Sequence, residues 1–475
     1  IQKANQELTV IRDAAHVKIC RSPIIKGFTV SMRKQAWVKK NLLLKTEVKP
    51  LEDFDDIEFN PRSNKQLQEL LYHTLGFVVT DRTKSKQPAT GAKVLAKLIH
   101  RTDDQEVKEL LETLIEFTKV DKILTTFMKA FLYDTVKKED GVYYLHGNFN
   151  LGGTVSGRLS SSNVNLQNLP SSGTPYAKII KACFIGPPGF VFGGADFSSL
   201  EDRISALTTK DKNKLKVYTE NYDGHCLRAF SYFPDKLPGI IDTVDSINSI
   251  QALFPEVRQD SKAPTFLLTY GGTYHGLVNN VGMTPEVAKR VEANYHELYK
   301  ESDEWVDDRL KEAHKTGYVV LAFGMRLRTP IMRQTLYNLG STPYEAMKEG
   351  RTAGNALGQS YGMLNNRAAI EFRKRVLVSP YRLKIRPVAM IHDATYFMFA
   401  NEVGCIAWAN KNLIECMQWQ ELDAIKHDKV KLGGNLELYP DGWHKTVDIP
   451  NNTTKQQLIR IGKDYGQDKI NESKT

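Results

Sequence analysis

The chain has 475 residues, 41% hydrophobic and 25% charged, an ordinary globular composition that excludes collagen-like, coiled-coil and disordered classes. At roughly 150 residues per domain this length fits about three lobes. Lys and Arg number 65 against 55 Asp and Glu, a net +10, so a polyanionic partner is worth testing although charge does not establish one.

Residues 1–50 hold eleven basic and three acidic side chains, and residues 51–60 (LEDFDDIEFN) are acidic. Weak periodicity leaves 1–60 without an assigned structure. The chain starts at Ile1 rather than Met, as a piece of a longer protein would. From Asn64 to about Val136, apolar residues spaced three and four apart in LQELLYHTL and EVKELLETLIEFTKVDKILTTFMKAFL predict helices. Between them lies a basic loop, 82–97, with Pro88 and Gly91. It reads equally as the charged tip of an elongated lobe or as a solvated loop on a bundle.

Residues 141–200 are rich in Gly, Ser and Asn, with short apolar runs such as Phe190–Gly194, which are strand and loop signals. One long helix is predicted over 284–316, with Thr284 as N-cap, Pro285 in the first turn and Gly317 after its end. A hairpin follows over 318–330 around Phe323 and Gly324, then a helix over roughly 345–376. PVAMIHDATYFMFA (387–400) predicts two strands joined at His392-Asp393. Cys20, Cys183, Cys226, Cys405 and Cys416 are scattered, with no close pair to start a zinc site, and read as reduced, buried thiols of a cytoplasm-like compartment. The longest stretch without Asp, Glu, Lys or Arg, 263–285, contains Pro264, Gly271 and Gly272 and is no membrane span, and the N-terminus has no signal-peptide pattern.

Three constellations carry chemistry. Asp196 ends the apolar run VFGGA and opens DFSSLEDR (196–203). Taken alone it fits a helix N-cap. Asp393, taken alone, fits a hairpin turn. Together, two carboxylates on neighbouring strands can hold two Mg²⁺ ions about 3.5–4 Å apart for in-line phosphoryl transfer. The third is Arg258, Lys262, Phe266 and Tyr270, then Gly271. Four-residue steps on one α-helix share a face, here two cations and then two aromatics, a surface suited to a triphosphate with a stacked nucleoside. Pro264 interrupts this series. Either it kinks the helix, or the helix begins near Pro264 under a Ser261 cap and the two cations leave the shared face.

These residues resemble DNA polymerases of family A. The 258–270 series is similar to the family's fingers helix, DFSSLEDR to its first palm motif and IHDATYF (391–397) to its last. GTVSGRLSSSNVNLQNLP (153–170), YDGHC (222–226), GYVVLAFGMRLRTP (317–330) and RTAGNALGQ (351–359) resemble further family segments, in family order. The resemblance covers about residues 60–445. It implies an α+β right-hand fold with an antiparallel-sheet palm, helical fingers and a helical thumb. The implied division is a linker or remnant of a preceding domain over 1–60, thumb over 61–140, palm over 141–215 and 346–450, fingers over 216–345, and a tail over 451–475.

The implied activity is template-directed DNA synthesis, in which dNTPs are added to a primer 3′-hydroxyl and pyrophosphate is released. Asp196 and Asp393, with the backbone carbonyl of Phe197, would bind two Mg²⁺ ions, Mn²⁺ being able to substitute. Arg258, Lys262 and His225 would grip the triphosphate, with Lys262 donating charge or a proton to the leaving group. Phe266 would pack on the sugar. Glu201 and Tyr270 resemble the gate that leaves no space for a ribose 2′-hydroxyl. Arg158, Asn168, Arg351, Asn355, Gln359 and His392 match DNA-contacting positions; most of them face the minor groove, where acceptors recur in every correct pair. Loop 82–97 would touch phosphates.

Ala394 stands where the family's last motif carries a third carboxylate, and Pro264 is the second departure. These two residues are the support for a rival reading as a non-catalytic DNA-binding module. A single-subunit RNA polymerase is the other rival, but is not expected to pair Glu201 with Phe266. No 3′–5′ exonuclease domain fits before the thumb, and no long insertion between 80 and 136 offers thioredoxin a seat. Primer–template DNA and dNTPs are the expected partners, with no membrane; replisome partners stay open. The compact motif style suggests a bacteriophage replicative enzyme working in the host cytoplasm. In the tail, Leu458, Ile459 and Ile461 are expected to dock on the palm, and Lys455, Arg460, Lys463, Lys469 and Lys474 to lie near duplex DNA.

Overall fold

A computed structural model describes residues 1–44, 48–83, 85–336 and 342–472, the last six of them as backbone only. The chain divides into two compact units, residues 1–135 with 276–284, and residues 136–275 with 285–475.

The first unit is helical. The N-terminal residues that carry no legible period form α1 (Gln2–Arg21) and α2 (Pro23–Asn41). Each buries few side chains, Leu8, Ala15 and Ile19 on α1 and Ile25 and Phe28 on α2, too few to set a pattern. They join a core with α3 (Ala92–Ile99) and α4 (Gln105–Ile123) that includes Leu95, Leu98, Leu111 and Leu114. Asp104 starts α4 by accepting from the N–H groups of Glu106 and Val107, at 2.9 and 3.2 Å. Of the loop expected over 82–97, residues from Ala92 on belong to α3, where Lys97 pairs with Asp81 at 2.9 Å. Lys84 of that loop lies outside the described residues.

The second unit is built on an antiparallel sheet of β1 (Phe190–Phe197), β2 (Ile385–Ile391), β3 (Ala394–Ala400), β4 (Gly434–Tyr439) and β5 (Val447–Ile449). Its order is β5-β4-β1-β3-β2. The two-residue period separates its faces. Val191, Ala195, Phe197, Phe397, Phe399, Leu436 and Leu438 enter the core beneath. Phe192, Tyr396, Tyr439 and Trp443 cluster on the opposite face, the face to which Asp196 belongs by alternation.

The helix expected over 284–316 is two, α9 (Pro285–Leu298) and α10 (Lys300–Thr316), once α5 (Leu200–Thr209), α6 (Gly224–Tyr232), α7 (Pro255–Asp260) and α8 (Lys262–Thr269) are counted before them. Tyr299 breaks it at φ −119°, ψ 37°. The reason is a buried contact: the Tyr299 hydroxyl accepts from Arg228 Nε at 2.8 Å. Likewise the helix expected over 345–376 is α11 (Tyr344–Gln359) and α12 (Met363–Leu377), separated by a tight turn at Ser360–Gly362. There Ser360 Oγ accepts from the Ala322 N–H at 3.0 Å. The predicted hairpin is present, Tyr318–Val320 against Arg326–Arg328, turning where Phe323 has φ 57°.

Cys226, Cys405 and Cys416 are buried as expected, but Cys20 is exposed and Cys183 only half-buried. No helix among the described residues is long and apolar enough to cross a membrane. The tail folds as α14 (Lys455–Glu472), after α13 (Val403–Met417). Leu458 and Ile461 pack into the sheet core. Ile459, expected to dock with them, is exposed. Lys474 lies outside the described residues, as does the side chain of Lys469.

Candidate active site

Asp196 is the seventh residue of β1, opposite Ala394 on β3 and Asn435 on β4. Asp393 is the second residue of the β2–β3 turn, Ile391 pairing with Ala394 across it. His392, the first turn residue, takes φ 54°, a left-handed conformation that tight hairpin turns demand. Two contacts fix the turn. The Phe197 N–H donates to the Asp393 carbonyl at 3.3 Å. Buried Asn365 donates its amide to the carbonyls of His392 and Ala394, at 3.3 and 3.1 Å. Side chains 197 positions apart in sequence thus share one sheet end.

Both carboxylates border a cleft of about 610 Å³. Burial, then the carboxylates of Asp393 and Glu437, pushes the Asp196 carboxyl up to about 6. Burial also raises Asp393, a rise the Arg158 cation opposes and Glu201 reinforces. Glu437, which no motif in the sequence singles out, sits on β4 opposite Gly194, on the site face. Its Oε2 accepts from the Tyr439 hydroxyl at 2.6 Å. Among the described residues no three His, Cys, Asp or Glu side chains gather closely enough to hold a metal by themselves. Two hard oxygen ligands under mutual repulsion do fit a divalent cation that completes its shell with water or substrate oxygens.

Arg158 reaches into this cleft. Its Nη2 donates to Glu201 Oε1 at 2.8 Å and to Asp393 Oδ1 at 3.2 Å, and its Nε to the Gln359 carbonyl at 3.1 Å. A side chain at Gly362 would collide with the Arg158 guanidinium, so that glycine gives Arg158 its path. Glu201, in the first turn of α5, holds Tyr270 through its other oxygen: the Tyr270 hydroxyl donates to Oε2 at 2.6 Å. Burial and then Glu201 raise the Tyr270 phenol.

Beyond Tyr270 lies a second cleft, of about 580 Å³, bordered by Arg351, Asn355 and Gln359 of α11. Asn355 donates to the Tyr270 carbonyl at 3.3 Å. Asn168 ends a short turn at Leu166–Asn168. Its neighbour Gln167, not singled out from sequence, donates to the Met390 carbonyl at 3.3 Å.

The 258–270 series does not form one helix. The break falls at Ser261, between α7 and α8. The buried Ser261 hydroxyl donates back to the carbonyls of His225 and Arg258, at 3.1 and 2.8 Å, rather than capping α8. Pro264 is the third residue of α8, where an N–H has no helical partner, so proline starts this helix instead of kinking it. Phe266 and Tyr270 remain adjacent, with ring centroids 4.9 Å apart, and Phe266 is 68% exposed.

Arg258 instead turns to Asp223, Nη2 to Oδ2 at 2.8 Å. Asp223 also caps α6, accepting from the N–H groups of His225 and Cys226 at 2.9 Å each. Burial works to raise Asp223, but Arg258 and the capping N–H outweigh it and bring it down to about 2. Burial and then the cations Arg228, Arg258 and Lys262 hold the His225 ring below its usual value. Among the described residues its buried Nδ1 has no hydrogen-bond partner. The break therefore leaves both cations beside His225, in a pocket with surplus positive charge.

Behind these groups lies a part-buried pair that no local pattern announces. Arg228 of α6 donates to Asp202 of α5 at 2.6 Å, and the Tyr218 hydroxyl donates to the other Asp202 oxygen at 2.5 Å. It ties the helix bearing Glu201 to the helix bearing His225.

The model of DNA polymerase family A matches residues 34–437. DNA polymerase I of Bacillus subtilis (strain 168) is 26% identical over 339 residues, 71% of this chain and 35% of the relative. Thermostable DNA polymerase I of Thermus aquaticus is 29% identical over 273 residues, 57% of this chain and 30% of the relative. This chain thus spans about a third of the length of the curated relatives it matches. Among solved structures, the POL domain of Pol1 from M. smegmatis, in complex with DNA primer-template and dNTP, is similar with a TM-score of 0.70 and 22% identity. That likeness covers 94% of this chain and 66% of the other, and shows a shared α+β polymerase fold.

Proposed function

The chain belongs to DNA polymerase family A, and from that premise we propose that it extends a primer 3′-hydroxyl with dNTPs under the direction of a template, releasing pyrophosphate. One observation carries the reading. Asp196 and Asp393 meet at one sheet end with raised proton affinity, while the same unit gathers Arg258 and Lys262 around His225. A carboxylate pair short of cations and a basic pocket short of anions are complementary to a metal-bound triphosphate.

Asp196, Asp393 and the Phe197 carbonyl would hold two divalent ions, Mg²⁺ or Mn²⁺. Bound there, such ions supply Lewis acidity, lowering the pKa of a hydroxyl and neutralising charge on a leaving phosphate. Arg258, Lys262 and His225 would orient the triphosphate, and among the described residues neither Lys262 nor His225 Nδ1 has a partner. Phe266 would offer its exposed ring to the sugar. The Tyr270–Glu201 hydrogen bond fills the space beside it, excluding a 2′-hydroxyl. Arg158, Asn168, His392, Arg351, Asn355 and Gln359 would face primer–template DNA. Arg158 would exchange its two carboxylates for a base edge when DNA is seated.

Primer extension with Mg²⁺ and either dNTPs or NTPs tests this. Growth with dNTPs is expected. Growth with NTPs alone would indicate an RNA polymerase, and duplex binding without growth a non-catalytic clamp.

A further inference from the structure

The basic N-terminal segment folds as the α1–α2 hairpin, and most of it precedes the family match, which begins at residue 34. Its cations are not used internally. Lys3, Lys18 and Arg21 on α1 and Lys26, Lys34, Lys39 and Lys40 on α2 are exposed. None of them has an ion-pair partner among the described residues. The exceptions are held by neighbouring groups. Arg33 is held by Asp55 at 2.9 Å and by the Ile57 carbonyl, Arg12 by Asp13 at 2.7 Å, and Lys49 by Asp53 at 3.6 Å. Of the acidic 51–60 stretch, Glu58 faces Cys20. Glu7 is the exposed carboxylate on α1 that has no such partner.

Helical geometry arranges these charges. At 100° per residue, Lys3, Lys18 and Arg21 fall within about 60° of arc on α1, and Lys26, Lys34 and Lys40 within about 120° on α2. The α2 set spans roughly 21 Å along the axis, about six base pairs of duplex. The buried Ile19 of α1 and Ile25 and Phe28 of α2 lie outside these arcs and enter the core, while Arg33 and Trp37, which hold the 49–57 segment, lie within the α2 arc.

We propose that the outer face of the α1–α2 hairpin binds the phosphate backbone of duplex DNA, without reading sequence. Two features select the duplex over a single strand. Among the described residues the hairpin carries one half-exposed indole, Trp37, and no row of rings on which successive unpaired bases could stack. Phe28 is buried, His16 packs on Phe117 at 5.9 Å, and the Trp37 indole N–H is taken by the Lys49 carbonyl at 2.7 Å. The cations are also spread along an axis, as repeated phosphates require, rather than gathered into one pocket. The proposal rests on the reading above that DNA is the partner, but not on any residue of the catalytic cleft.

The test is duplex affinity across a salt series for the full chain and for Lys26→Gln/Lys34→Gln/Lys40→Gln, with the far-ultraviolet circular dichroism of both recorded. Each lost phosphate contact should flatten the log–log salt slope by about 0.9, so the triple variant should lose between two and three units. Primer extension at saturating DNA should be unchanged. An unchanged slope in a folded variant would overturn the proposal and leave the DNA reading intact. Failure of the unaltered chain to bind duplex at all would overturn both. A slope change confined to single-stranded DNA would overturn the choice of duplex.

Discussion

Asp196 and Asp202 stand six residues apart, and the protein pushes them in opposite directions. Asp196 rises to about 6. Asp202, the more deeply enclosed, falls below the ordinary carboxylate value, because Arg228 and the Tyr218 hydroxyl outweigh the cost of burial. The difference lies in the counterion. At Asp202 the chain supplies its own, on α6. At Asp196 it supplies more negative charge instead, from Asp393 and Glu437. A carboxylate that the fold has neutralised serves the fold, whereas one left beside other carboxylates is poised for a cation from outside.

The comparison breaks first on catalysis. Asp196→Asn or Asp393→Asn should reduce single-turnover primer extension by about 10³-fold or more, in keeping with loss of metal-assisted phosphoryl transfer, while duplex affinity stays within a few fold. Near-normal extension in either variant would remove the two-carboxylate assignment.

The neutralised side should break on stability. Arg228→Met leaves the part-buried Asp202 without its cation and should cost about 2 kcal/mol in urea unfolding, a figure discounted because solvent reaches the carboxylate. Adding Asp202→Leu should restore most of that, because two apolar groups replace a pair rather than orphan one member. If the double variant is as unstable as the single one, Arg228 acts by packing and not by neutralising Asp202.

Between the two regions lies Glu201, joined to Arg158 and Tyr270. Glu201→Ala should raise the ratio of ribonucleotide to deoxyribonucleotide incorporation by roughly tenfold or more, with a smaller loss of dNTP turnover than the Asp variants show. Phe266→Tyr should improve acceptance of dideoxynucleotides, since its hydroxyl can replace the missing 3′-hydroxyl. Unchanged sugar selectivity in both would detach the gate from these residues.

The smallest effect concerns pH in the metal-free protein. Asp196 binds its proton more tightly folded than unfolded, so its contribution to stability is present below about pH 4 and is lost as pH rises through about 6. Asp196→Asn should therefore stabilise the protein at pH 7 by about 1 kcal/mol, a figure discounted because solvent reaches the carboxylate, with the gain vanishing near pH 4. Asp202 has the opposite sign: its contribution is present above the ordinary carboxylate range and lost as pH falls below it. A stability difference between Asp196→Asn and the unaltered protein that does not change with pH would contradict the raised value.

Much of the site is legible in the amino-acid sequence. Asp196 after an apolar run, Asp393 in a hairpin turn and the aromatic pair Phe266 and Tyr270 depend on local rules of period, turn and helix spacing, and those rules act over a few residues. The basic N-terminus is visible as charge but not as helices, because α1 and α2 bury only a few side chains apiece, and so few apolar positions set no period. The single helices predicted over 284–316 and 345–376 are cut by distant partners, Arg228 for Tyr299 and Ala322 for Ser360. Pro264 fits either a kink or a helix start by sequence alone, and its place in the first turn of α8 makes it harmless.

What the sequence determined by itself was chemistry in short range: which carboxylates end strands, which cations stand near aromatics, and where charge accumulates. What only the tertiary structure decided was which of these groups are left unneutralised. Arg258 suits a phosphate by its spacing, yet in the fold it also pairs with the carboxylate of Asp223, and Asp202 gains Arg228 across two helices. Glu437 joins the Asp196 carboxylate of β1 from a strand about 240 residues away. Pairings of that kind have no local signature, since electrostatic partners are chosen by distance in space after the sheet and helices have packed, and burial then fixes how much each pairing matters.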